Sequence, residues 1–228
     1  MINLNAAVFS PFGLATVPSP HPDIDLYGCP LSSLSLADDR LAYLQSLLTS
    51  AELTQRLAYR TDTLKANAIL SRGLLRLILA EYGTDTHPKG IKLMQHRYGK
   101  PYLPNSTLQF SVSHCDSRLM IAVSRTRLIG IDIERLDQKN QGQLADFVLS
   151  PEELACHRQR PPSAQQAYFL QCWTRKEAYL KAIGTGLVNH LQRVDTSADY
   201  VVDQGRTTPY QACAVDLDQR HVASLVYA

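Results

Sequence analysis

Nothing in this chain marks a membrane span, a disulfide framework or a zinc site. No apolar run approaches the ~18 residues that a spanning helix needs, so no membrane partner is expected. The five cysteines (Cys29, Cys115, Cys156, Cys172, Cys213) are odd in number, scattered and never close-paired. Reduced thiols fit that pattern better than bridges or metal ligands. After Met1 there is no basic stretch leading into an apolar core and a small-residue cleavage site, so a cytoplasmic protein is expected. An excess of one charge is missing too. The 23 basic and 21 acidic side chains leave a net +2, too balanced for wholesale nucleic-acid binding. There is no phosphate-binding P-loop, no dinucleotide fingerprint, and no nucleophile elbow around a serine.

What is present is ordinary globular composition, 45% hydrophobic and 19% charged over 228 residues. A chain this long buries about 70% of its unfolded surface, enough for a core without disulfides or structural metal. Residues 1–22 are rich in proline and serine and read as an irregular lead-in. Ile24 to Leu31 alternates as a short strand. From about Ala37 to Tyr82 two leucine-rich stripes predict helices, with Ser50 as an N-cap and Gly83 after the last turn. Ile91 to Met94, Leu108 to His114, Leu119 to Ser124 and Leu128 to Glu134 read as strands. Ser150-Pro151-Glu152-Glu153 has the chemistry of a helix start. A second helix is expected from Ser163 to Ile183, stopping before Gly184, and the tail from Arg193 to Tyr227 is β-like. Helices followed by strands occur twice, with a junction near Cys115–Arg118. That order points to an α+β protein.

Three segments carry chemistry. In Leu128-Ile129-Gly130-Ile131-Asp132-Ile133-Glu134, strand alternation puts Asp132 and Glu134 on one face, roughly 6–7 Å apart. A hard cation such as magnesium fits between two such carboxylates. Gly130 lies on the same face and would leave room for a ligand. An edge strand with solvated acids and a glycine bulge gives the same pattern. In the helix around Trp173, the side chains of Trp173, Glu177, Leu180 and Lys181 fall on neighbouring directions, which sets two charges on an apolar stripe. An i,i+4 ion pair beside a packing tryptophan is the plainer reading, but it leaves the position unexplained. Finally, Ser111, Ser113 and His114 close a strand shortly after Gly99-Lys100-Pro101. Such groups can hold phosphate oxygens, and a satisfied histidine at a loop end is the alternative.

Taken in order, Gly99-Lys100-Pro101, then Ser111-Val112-Ser113-His114, then Gly130-Ile131-Asp132-Ile133-Glu134 are followed by Trp173, Lys176, Glu177, Ala178, Lys181, Gly184, Gly186 and Leu187. This series resembles the 4′-phosphopantetheinyl transferases of the two-lobed, surfactin-synthetase-activating type. The resemblance is strong from Gly99 to Leu187, weaker from Ser50 to Tyr82, and absent in the first 22 residues. It implies an α+β pseudo-dimer of two similar lobes, each a small antiparallel sheet packed on helices, with the active site between them. Residues 1–116 would form the lobe facing the coenzyme A nucleotide, and 117–228 the lobe with the acids and the catalytic helix.

The resemblance also implies roles. Asp132, Glu134 and Glu177 would coordinate Mg2+. Ser113 and His114 would contact coenzyme A phosphates, and Lys100 would face the nucleotide. Lys181 would meet the pyrophosphate with Lys176 beside it, and Arg76 aligns with an arginine common in the first lobe. Glu177 and Lys181 would be the catalytic pair, moving the phosphopantetheine arm to a serine of an apo acyl or peptidyl carrier protein. Family members often carry basic residues after the Ser-x-Glu helix start; here Leu53 replaces one expected lysine and only Arg56 keeps a positive charge. The region after Glu134, through Phe147–Leu154, resembles the carrier-docking segment. A monomer is implied. Two other readings share these residues: a metal-dependent phosphohydrolase, which would want more acids or a more basic surface, and a non-catalytic coenzyme A-binding module, against which Glu177 and Lys181 stand together.

Overall fold

A computed structural model describes residues 6–31, 36–83, 87–137, 144–186 and 191–228. In chain order the helices are α1 (Ala6–Phe9), α2 (Asp39–Ser46), α3 (Ser50–Leu57), α4 (Asp62–Glu81), α5 (Ala145–Val148), α6 (Pro151–Gln159) and α7 (Pro162–Ile183). The first-half strands are β1 (Ala15–Val17), β2 (Ile24–Pro30), β3 (Met94–Gln95), β4 (Pro101–Tyr102), β5 (Gln109–His114) and β6 (Arg118–Ser124). The second-half strands are β7 (Ile129–Arg135), β8 (Val194–Asp195), β9 (Tyr200–Asp203), β10 (Arg206–Val215) and β11 (His221–Tyr227).

Local chemistry sets the helix ends. Ser150 caps α6 in a capping box with Glu153, and Pro151 occupies the first helical position. The long α7 stops at Gly184, whose φ of 75° suits only a residue without a Cβ penalty. On α3 the cap is Thr49 rather than Ser50, since it is Thr49 that exchanges hydrogen bonds with Glu52 three residues into the helix. The strand expected at Ile91–Met94 shrinks to Met94–Gln95, paired with Pro101–Tyr102.

Besides that small β3-β4 ribbon there are two larger antiparallel sheets, ordered β1-β2-β6-β5 and β7-β11-β10-β9-β8. Each half repeats one connectivity. A strand leads to a long helix and then to a hairpin whose second strand pairs back with the first: β2-α4-β5-β6 and β7-α7-β10-β11. Because β6 hydrogen-bonds to both β2 and β5, the first sheet runs on to Ser124. One expectation is corrected here. The lead-in is not wholly irregular: β1 pairs with β2, and Phe9, Phe12 and Leu14 are buried in the first core. Prolines kept those apolar residues out of a long strand without keeping them out of the core.

The first sheet is covered on both faces. Tyr27, Phe110, Leu119 and Ile121 meet the helices, while Ile24, Leu26, Met120 and Ala122 meet the second sheet. That is why β6 reads as an unbroken apolar run. Ile129, Ile131 and Ile133 of β7 face this shared core, so Gly130, Asp132 and Glu134 face α7. Gly130 does not make room for a ligand. A Cβ there would lie 1.9 Å from the carbonyl oxygen of Ala178 and 2.6 Å from the amide nitrogen of Ala182. Its role is to let α7 lie directly on the strand. Gly130→Ala should therefore push α7 outward and cost about 1–3 kcal/mol, read as a lower urea midpoint; an unchanged midpoint would contradict this packing.

Candidate active site

The site forms where β5 runs beside β7 at the junction of the two sheets. Ser111 Oγ accepts from the amide of Ile131 at 3.1 Å. One pleat further on, Ser113 Oγ donates to Asp132 Oδ1 at 2.7 Å. Lys181, one turn beyond Glu177 on α7, donates to that same Asp132 oxygen at 2.6 Å and to Ser113 Oγ at 2.8 Å. Serine, aspartate and lysine thus come from three elements of both halves.

Glu134 and Glu177 adjoin this triad and feel its charge. Burial, then the negative charge of Asp132, push Glu134 up to about 7, opposed by a hydrogen bond from Trp173 and by Lys181. Burial and Asp132 likewise push Glu177 up to about 6 against the pull of Lys181. One lysine does not balance three clustered carboxylates. Two buried oxygens, Asp132 Oδ2 and Glu177 Oε1, have no hydrogen-bond partner. Among the described residues no three His, Cys, Asp or Glu side chains stand as a ready-made metal cluster, and Lys181 occupies Asp132 Oδ1. The donor set nonetheless fits a cation: two orphaned carboxylate oxygens and raised acids are what a positive charge would relieve.

A cavity of about 270 Å³ opens beside Glu177 and Lys181, walled by Tyr98, Gly99, Lys100 and Gly184. Lys100 reaches across the junction and donates to the carbonyls of Ile129 (3.2 Å) and Ala182 (3.0 Å). Burial pulls its pKa down to about 8. The second of those carbonyls belongs to the last turn of α7, so Lys100 also caps that helix. His114 is exposed and lines an adjoining cavity of about 350 Å³ with Arg56, Tyr59, Arg72 and Gly99. Arg72 was not anticipated. It supplies from α4 a second cation near Arg56, where the sequence had left one. Its signal was an arginine four residues before Arg76 on a helix that, Ser71 apart, is otherwise apolar from Leu70 to Leu79.

Two anticipated contacts lie elsewhere. Lys176 is fully buried, paired with Glu153 at 2.8 Å and donating to the carbonyls of Leu191 and Val194. One step along a helix turns a side chain by about 100°, so Lys176 points into the core while Glu177 faces the cavity. Arg76 is 1% exposed; it grips Glu52 and the carbonyls of Pro88, Lys89 and Ile91. Both side chains are held by internal partners. Leu187, at the end of the motif series, lies outside the described residues, as do 138–143 in the segment anticipated to dock a carrier.

The Lys176 assignment is testable. Lys176→Met should destabilise the fold by about 3–5 kcal/mol, because it strands a buried Glu153, and adding Glu153→Gln should restore part of the loss. An unchanged denaturation curve together with weakened ligand binding would return Lys176 to the site.

Clustered acids in want of a cation, lysines at their side and a neighbouring cavity lined by arginine and histidine suit group transfer from a phosphate-bearing substrate. Residues 128–226 match the 4′-phosphopantetheinyl transferase superfamily. Over 170 residues the chain is 33% identical to 4′-phosphopantetheinyl transferase HetI of Nostoc sp., covering 72% of this chain and 70% of that one. It is 35% identical over 116 residues to a 4′-phosphopantetheinyl transferase of Bacillus subtilis, covering 50% of each. It is 28% identical over 176 residues to a putative 4′-phosphopantetheinyl transferase of Synechocystis sp., covering 73% of this chain and 71% of that one. This chain belongs to the 4′-phosphopantetheinyl transferase superfamily, and it is a transferase.

Proposed function

We propose that this protein transfers the 4′-phosphopantetheine arm of coenzyme A to a serine hydroxyl of an apo acyl or peptidyl carrier protein, releasing adenosine 3′,5′-bisphosphate. The observation that carries the reading is the convergence of Ser113, Asp132 and Lys181 beside Glu134 and Glu177. Asp132, Glu134 and Glu177 would hold Mg2+, and the unpartnered oxygens of Asp132 and Glu177 support that set. When bound, the ion would draw off negative charge from the substrate's pyrophosphate.

The protein's own groups do the rest. Lys181 is held by Asp132 and Ser113 at the mouth of the cavity. There it stabilises charge on the departing phosphate. Glu177 receives the proton of the attacking serine, directly or through a water. A bound cation would lower the basicity of Glu177, so relay through a water is at least as good a route as direct transfer. Ser113, His114 and Lys100, joined by Arg56 and Arg72, bind the phosphates and nucleotide. In this reading the first half grips the nucleotide and the second supplies the acids. Carrier docking falls near α5, where Phe147 is 73% exposed. The protein is taken to act as a cytoplasmic monomer without nucleic-acid or membrane partners; no helix among the described residues is long and apolar enough to cross a membrane.

Mass spectrometry of a panel of apo carrier proteins, incubated with coenzyme A, Mg2+ and the protein, should show a gain of one phosphopantetheine. Asp132→Ala and Glu177→Ala should abolish that gain with the fold intact, and Lys181→Ala should slow it by orders of magnitude, in keeping with loss of a preorganised electrostatic group. Near wild-type transfer by either acid variant would overturn the metal assignment. Release of nucleotide without any carrier would favour a hydrolase instead.

A further inference from the structure

We propose that Ser117, His221 and Asp218, together with Arg118, form a clasp across the junction of the two sheets. It positions the Ser113–His114 end of β5 against the acid-bearing strand β7. The inference rests on the functional reading above. Ser117 lies in the tight turn between β5 and β6, closed by the Cys115 amide donating to the Arg118 carbonyl at 3.0 Å. Its hydroxyl is 2.7 Å from His221 Nε2. His221 Nδ1 is 2.8 Å from Asp218 Oδ1, and Asp218 Oδ2 accepts from Arg118 at 3.1 Å. The contacts leave the first half at Ser117, pass through two residues of the second half, and return to the first at Arg118. The His221 side chain is only 8% exposed and its bond to Ser117 is part-buried, which limits competition from water there; Asp218 lies on the solvent side, 43% exposed.

Each end of the clasp is tied to the site. His221 opens β11 and pairs with Arg135 of β7; in the same register Val222 pairs with Glu134 and Ser224 with Asp132. The Leu136 amide donates to the Arg220 carbonyl at 2.8 Å, fixing the β10–β11 turn to the end of β7. On the other side, Ser117 follows Ser113 and His114 in the same hairpin, and its carbonyl accepts from Leu31 at 2.8 Å. The shared apolar core joins the sheets along their faces. At the rim, where β5 ends, the clasp sets the distance between the hydroxyl and imidazole on one strand and the carboxylates on the other.

A serine–histidine–aspartate chain is also the arrangement of a hydrolytic nucleophile. Two features favour the clasp. Arg118 holds the second oxygen of Asp218, drawing its charge away from the histidine. The Cys115 amide, two residues before the serine, is committed to the hairpin instead of an oxyanion.

Steady-state kinetics of transfer with Ser117→Ala, His221→Phe and the double variant, alongside thermal melts, test this. Each single change should raise KM for coenzyme A by roughly three- to tenfold, the weight of one hydrogen bond. The carrier's KM should stay unchanged, and the double variant should be no worse than the more affected single one, since both open the same clasp. His221→Gln, which keeps a polar group in reach of Ser117, should recover part of the loss. An unchanged KM for coenzyme A in folded variants overturns the proposal, as do fully additive effects. Hydrolysis of p-nitrophenyl acetate that disappears in Ser117→Ala overturns it in favour of a nucleophile. If His221→Phe does not fold, Ser117→Ala decides the matter alone. A wild-type protein that transfers nothing sinks the functional reading instead.

Discussion

The structure depends on the close approach of two strands that belong to different sheets. β5 and β7 lie side by side, yet the two sheets are hydrogen-bonded separately. Serine side chains bridge the gap: Ser111 satisfies the amide of Ile131, and Ser113 satisfies one oxygen of Asp132. Small hydroxyls allow this proximity, because each both fills little space and answers a buried polar group. Behind β7, Gly130 lets α7 settle onto the strand, and that contact brings Lys181 to Asp132. Widening either approach would pull apart the meeting of Ser113, Asp132 and Lys181.

Electrostatics at that junction are unbalanced by construction. Three carboxylates share one nearby ammonium, and the two glutamates respond by holding their protons more tightly. Away from the junction, two buried charges are well answered. Glu153 receives Lys176, Thr196 and the capping amide of Ser150, and Arg76 has a carboxylate and three carbonyls. On the proposed reading, the answered charges support the fold and the unanswered acids are the groups that a cation would satisfy.

The same contrast explains what was legible in the sequence. Strand alternation was enough to put Asp132 and Glu134 on one face, and capping chemistry was enough to start α6 and stop α7. Whether a charge on an apolar helix points at a cavity or at an internal partner depends on residues distant in the chain. Lys176 meets Glu153 and the backbone of 191 and 194, which no local pattern encodes. Arg76 is held in the same way by Glu52, and Arg72 became visible only when α4 was seen beside His114. Gly130 carried a true signal, a close approach, but the chain alone could not say whether a helix or a ligand made it. The early strand β1 escaped notice because three residues between prolines give too short an alternation to read.

Manganese is a spectroscopic and anomalous-scattering substitute for magnesium, with the same preference for oxygen ligands. Crystals grown with Mn2+ and coenzyme A would test the central claim most directly. One anomalous peak bounded by Asp132, Glu134 and Glu177, with Lys181 turned from Asp132 towards the pyrophosphate, is the predicted result. A peak elsewhere, or coenzyme A bound with Lys181 still locked to Asp132 and no ion between the acids, would contradict it.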